Sequence, residues 1–292
     1  MLGTGPALRL SDVSKRYGET TALSSVSFEV ERGEVAILLG ANGAGKTTTT
    51  LLLAGLLSPD GGLVQVAEGD PRLPATRRIL GVASQVSVFP PTITPRELLR
   101  FACAHYTDPL PIAALLEAFS LEDAADHRFA KLSVGYWRRA ALSVAFAGRP
   151  EIALLDEPTA GLDVHARRRL IQFVREYARE GGTVLMTTHH LNEAHELADR
   201  IVFLKNGRVG FDGTGDELTG RGAVTRVSIR AQELPELPPL VRVEAGDEWH
   251  RLYTAEPAEL LQALLDVGAD LRGLEVSGAA SLEDAFLELV GA

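Results

Sequence analysis

Short aliphatic runs alternate with stretches of helical character from the start of the chain to about residue 218. Three runs are continuously apolar: Val35–Leu39, which ends in glycines, Ile152–Leu155, which ends in Asp156-Glu157-Pro158, and Thr183–Thr187, which ends in Thr188-His189. Unbroken runs of that length predict strands covered on both faces, as in a parallel sheet. Each is followed by a helical stretch, which predicts a layered α/β fold with ligands at the C-terminal ends of the strands. The earlier runs Leu8–Val13, Val26–Val30 and Leu63–Val66 predict an additional antiparallel sheet against that core.

Residues 86–148 break the alternation with Pro90-Pro91, Pro95, Pro109 and Pro111, followed by helical patterns over Arg96–His105, Ile112–Phe119 and Tyr136–Ala147. They predict a helical insert between two core strands. After Asp212-Gly213-Thr214-Gly215 the texture changes again. Strand patterns over Thr225–Arg230, Val241–Glu244 and Trp249–Thr254 are interrupted by Leu234–Pro239, and helices are predicted over Pro257–Val267 and Ser281–Val290. The expected organisation is a large α/β domain over 1–220 and a small α+β domain over 221–292.

Composition narrows the choice of function. The chain is 46% hydrophobic, enough for a sizeable core, and its formal net charge of -10 argues against a protein that coats duplex nucleic acid. No apolar run reaches the roughly 18–20 residues that span a bilayer. The start, MLGTGPALRL, lacks a basic segment followed by an apolar one, so no secretory leader is expected. The one cysteine, Cys103, sits in Phe101-Ala102-Cys103-Ala104 and is expected to be a buried thiol in a reducing compartment. These features predict a cytoplasmic protein whose membrane role, if any, comes through a partner.

The candidate chemistry begins at Gly40-Ala41-Asn42-Gly43-Ala44-Gly45-Lys46-Thr47, a match to G-x-x-x-x-G-K-[ST] placed after a strand and before a helix. Glycines let backbone N–H groups turn inward around phosphates, and a helix N-terminus adds a favourable dipole. Lys46 is expected at the β- and γ-phosphates, the Thr47 hydroxyl on Mg²⁺, and Thr48 on a further phosphate oxygen. Alone, this cradle fits a kinase, GTPase, helicase or transporter. Asp156 ends a buried strand beside it and suits the Mg²⁺ shell, and Glu157 is placed to polarise an attacking water. His189, His190 and His195 invite a metal-site reading, but His195 has no i, i+4 histidine partner and no cysteine is near.

Further motifs give the chain a close resemblance to the ABC (ATP-binding cassette) ATPases. Leu132-Ser133-Val134-Gly135-Tyr136 stands where that family carries LSGGQ, with Val134 and Tyr136 in place of a glycine and the glutamine. Leu154–Asp163 resembles its Walker B and D-loop stretch, Met186–His189 its H-loop, Gln85 its Q-loop, and Tyr17 its adenine-stacking aromatic. The resemblance implies a P-loop NTPase fold with a RecA-like core. It also implies ATP and Mg²⁺ as cofactors, Glu157 and His189 as catalytic residues, and Gln85 joining Thr47 and Asp156 at the metal. Ser133, Gly135 and Asp163 would serve the nucleotide of a second copy, so that two chains close on two ATP molecules. A separate integral membrane subunit would dock on the helical insert near Gln85 and hold the protein against the inner face of the cell membrane; Val86–Pro91 is apolar enough to be part of such a groove or, alternatively, a buried core loop. The tail Ser281–Leu287 resembles bacterial drug- and polysaccharide-export ATPases, which makes export the expected direction. The alternative is a soluble family member acting on ribosomes or DNA. Such members usually carry two cassettes or long coiled-coil insertions, and this chain has neither.

Overall fold

The computed structural model describes residues 5–85, 87–221, 225–230, 237, 240, 242–245, 249–254, 256–269 and 271–277. Strands β1 (Leu8–Tyr17) and β2 (Thr20–Val30) form an antiparallel hairpin. Alternation puts Leu8, Leu10, Val13, Val26, Phe28 and Val30 on its buried face. β3 (Val35–Gly40) is buried along its whole length and leads through the glycine loop into α1 (Lys46–Leu53). β4 (Gly61–Val66) returns to pair with β1, giving a three-stranded antiparallel sheet in the order β2-β1-β4.

After α2 (Pro74–Arg77) comes β5 (Leu80–Ala83), and then the helical insert. It holds α3 (Pro95–Cys103), α4 (Ile112–Ala118) and α5 (Val134–Phe146). Pro95 opens α3 behind a capping box in which Thr94 and Glu97 each bond the other's backbone N–H. Phe119 of the insert stacks on Phe146 at 5.8 Å. β6 (Ile152–Asp156), α6 (Val164–Arg179), β7 (Thr183–Thr188), α7 (Leu191–Leu197), β8 (Arg200–Lys205) and β9 (Arg208–Gly213) follow. Phe173 and Tyr177 of α6 meet Phe146 edge-on at 4.8 and 5.0 Å, which ties the insert to the core.

The second sheet has six strands in the order β5-β6-β7-β3-β8-β9, parallel except for the β8–β9 pair. Leu38, Leu154, Leu185 and Val202 join the buried residues of the hairpin in one apolar cluster. Register aligns the ends that matter: Asp156 pairs with Thr187, and Leu39 with Thr188. The C-termini of β3, β6 and β7 therefore open onto one place. Among the described residues, no helix is long and apolar enough to cross a membrane.

The chain divides into two compact units, Met1–Gly213 and Thr214–Ala292. The second contains α8 (Gly215–Arg221), β10 (Thr225–Arg230), β11 (Arg242–Ala245), β12 (Trp249–Thr254), α9 (Pro257–Asp266) and β13 (Glu275–Ser277). Its antiparallel sheet runs β11-β12-β10-β13 and shares a small core of Val227, Ile229, Leu252, Leu260 and Leu264 with α9. The short elements α8 and β13 were not foreseen from the sequence. The helix expected over Ser281–Val290, most of the Leu234–Pro239 interruption, and Val86 lie outside the described residues.

Candidate active site

The loop from Gly40 to Thr47 needs its glycines for two separate reasons. A Cβ on Gly40 would lie 2.6 Å from the Leu204 carbonyl oxygen, and one on Gly45 would lie 2.8 Å from that of Ala22. Gly43 and Gly45 also have φ of 81° and 106°, a left-handed region that favours glycine. Lys46 then opens α1 with its side chain only 5% exposed. Its Nζ donates to the carbonyls of Gly40 (2.8 Å) and Ala41 (3.1 Å) and lies 3.5 Å from Glu157 Oε1. Thr47 is exposed at the mouth of the loop, whereas Ala44 and Thr48 are buried.

A cavity of about 420 Å³ opens above this loop. Asn42, Gly43 and the residues Gly45 to Thr48 form its floor, with Tyr17, Gln85 and Glu157 on its walls. Tyr17, half exposed at the end of β1 with the Lys15 ammonium 6.0 Å from its ring centroid, brings an aromatic ring to the wall where a flat base could stack. Thr20, Thr21 and Ala22 complete the wall beside it. Sequence reasoning missed these three because nothing in the pattern of a hairpin turn announces a ligand.

Glu157 is the hub of the polar contacts. Its Oε1 faces Lys46 Nζ at 3.5 Å and His189 Nδ1 at 3.4 Å, and its Oε2 accepts from Gln85 Nε2 at 3.0 Å. The residue sits at φ 47°, unusual for a side chain of this size. Thr187 holds it there by accepting from Glu157 N at 2.9 Å while donating to Asp156 Oδ1 at 2.6 Å. The strand-end threonines Thr187 and Thr188 were the available signal for this support: two hydroxyls directly after the apolar Val184–Met186.

Asp156 is buried at the tip of β6 and borders a smaller cleft that it shares with Gln85 and Glu157. Thr47, Gln85 and Asp156 offer hydroxyl, amide and carboxylate oxygens, the hard donors that suit Mg²⁺. The donor set therefore fits that ion.

Ser133, Gly135 and Asp163 do not line the cavity. Ser133 is the N-cap of α5, but its hydroxyl makes no capping bond. Val134 is 70% exposed in the first turn, on helical backbone that valine adopts without strain. The backbone conformation at this position does not require the glycine that the LSGGQ pattern places there. Tyr136 turns away, its hydroxyl donating to Asp123 Oδ2 at 2.5 Å with the Arg139 guanidinium 4.1 Å from its ring centroid. The nearby Arg138 donates to the carbonyl of Ala160. Asp163 is the N-cap of α6, accepting from the backbone N–H of His165 (2.9 Å) and Ala166 (3.0 Å). The bond from Ala166 does most to hold its carboxyl below the usual aspartate range.

A family model described as ABC transporter matches residues 23–160. The chain is 35% identical to a Nod factor export ATP-binding protein I of Ralstonia nicotianae, over 99% of this chain and 95% of that one. It is also 35% identical to the daunorubicin resistance ATP-binding protein DrrA2 of Streptomyces coeruleorubidus, over 98% of this chain and 96% of that one. Among solved structures it is similar to an ATP-binding subunit of an ABC transporter, with 32% identity, a TM-score of 0.67, and 74% of this chain and 92% of that one covered. A dimeric ATP-binding cassette in a post-hydrolysis state, bound to ADP and Pi, matches at 27% identity and a TM-score of 0.64, over 71% of this chain and 98% of that one.

Proposed function

This chain belongs to the ABC transporter family as an ATP-binding, ATP-hydrolysing subunit, and from that premise we propose that it powers export through a separate membrane-spanning subunit. Two copies close on two ATP molecules, each held between the Gly40–Thr48 cradle of one chain and Ser133, Gly135 and Asp163 of the other. The observation that carries the catalytic part is the meeting of Lys46, Gln85 and His189 on the Glu157 carboxylate at the rim of the cavity.

Tyr17 stacks on the adenine, a contact worth about 1–3 kcal/mol in comparable base-stacking sites. The backbone N–H groups of the cradle take the phosphates. Lys46, released from Glu157, reaches the β- and γ-phosphates. Glu157 then faces the water that attacks the γ-phosphorus, accepting its proton as the bond to the β-phosphate oxygen breaks. His189 orients that water and donates to the γ-phosphate. Thr47, Gln85 and Asp156 would hold Mg²⁺, which would neutralise phosphate charge. Positioning and charge stabilisation account for most of the rate in such a transfer.

Export is supported by relatives named for export and for drug resistance that match nearly the whole chain. Work on ribosomes or DNA is not favoured, since none of those names points there. The smaller unit from Thr214 onward is assigned a regulatory or dimer-stabilising role, and the first unit lies on the inner face of the membrane through its partner. Affinity purification of the tagged chain from membranes tests the reading. Recovery of one integral membrane protein in constant ratio is expected; recovery of ribosomes or DNA instead would overturn it.

A further inference from the structure

Glu193 is a fully buried carboxylate that the mechanism above does not use. A buried charge without full pairing is costly to keep, so its surroundings matter. It lies in the first turn of α7, and its Oε2 accepts from Thr188 Oγ1 at 2.7 Å. The same Thr188 oxygen accepts from His190 N at 3.0 Å. The backbone on both sides of His189 is thereby clamped through one hydroxyl whose proton Glu193 holds. The other oxygen, Oε1, has no hydrogen-bond partner and faces Arg167 Nε at 3.4 Å. Arg167 sits in the first turn of α6, where its N–H bonds the carbonyl of the N-cap Asp163 at 2.9 Å.

These contacts close a ring. Glu157 runs through residues 158–163 into α6, Arg167 of α6 meets Glu193, Glu193 holds Thr188, and Thr188 precedes His189, whose Nδ1 stands 3.4 Å from Glu157 Oε1. We propose that Glu193 and Arg167 are positioning residues that fix His189 against Glu157 and tie its place to the N-terminus of α6. Neither touches the nucleotide. The inference rests on the catalytic reading of Glu157 and His189.

The test is steady-state ATP hydrolysis by the full chain carrying Glu193→Gln, Arg167→Gln, or both. At 193 glutamine keeps the shape and can still accept from Thr188, and at either position it removes the ion pair. Each single change is expected to lower kcat by about 10- to 100-fold, the scale of small misplacements in an active site, with KM for ATP unchanged. The double variant is expected to be no worse than the worse single one, because both break the same link. Thr188→Ser is expected to retain turnover and Thr188→Val to lose it, as only serine keeps the hydroxyl. A purely structural role would lower thermal stability and leave kcat of the remaining folded protein unchanged. That result, near-normal kcat in either single variant, or losses that multiply in the double would each overturn the proposal. Failure of the underlying reading shows separately: His189→Ala would then leave turnover intact whatever Glu193 does.

Discussion

Gly45 carries two constraints at once, a φ of 106° and no room for a Cβ, which would lie 2.8 Å from the Ala22 carbonyl oxygen. Gly45→Ala is expected to cost about 1–3 kcal/mol of stability, the scale of a residue forced into a disfavoured backbone region. It should also weaken ATP binding, and chemical unfolding together with an ATP titration checks both. Tyr136 makes a different prediction. Donating its proton to the Asp123 carboxylate raises its phenol above the ordinary value of 10.0. A raised folded value means that the contribution is fully present below about pH 10 and lost as the pH climbs through the raised value. As the pH climbs above about 10, unfolding of the parent chain should therefore become easier by more than that of Tyr136→Phe, which lacks the proton. Equal pH dependence in the two would show that the bond contributes nothing in solution.

The elements that position the site end where side chains end them. Thr94 caps α3 reciprocally with Glu97, so Thr94→Ala is expected to cost about 1 kcal/mol. That corresponds to a fall of about 2–4 °C in thermal midpoint for a unit of this size, without effect on ATP hydrolysis. Asp163 caps α6 and is also assigned to the seam between two chains. Asparagine caps as well as aspartate, so Asp163→Asn should keep the thermal midpoint. A loss of hydrolysis in that variant assigns the carboxylate a role beyond the cap, and unchanged hydrolysis denies it one. The main elements were legible because their apolar stretches are unbroken: Val35–Leu39 in β3, Ile152–Leu155 in β6 and Val184–Met186 in β7. The last strand, β13, has three residues and no period to read, and α8 begins at the glycines that read as a boundary.

At the scale of the molecule, the cradle and the two carboxylates could be placed from sequence because their chemistry requires fixed residue types beside strand ends. Their support could not. Thr187 and Glu193 act through register and burial, which become visible only when β6, β7 and α6 are side by side. The orientation of Tyr136 was equally hidden, since its partner Asp123 belongs to a separate turn of the insert. What joins these parts into one account is that Glu157 is where the cradle, Gln85 and His189 meet. The most direct test is to compare ATP turnover and ATP binding in the parent chain and in Glu157→Gln. The account predicts a turnover lower by about 10²–10⁴-fold, the usual contribution of a general base, with ATP still bound; unchanged turnover would contradict it.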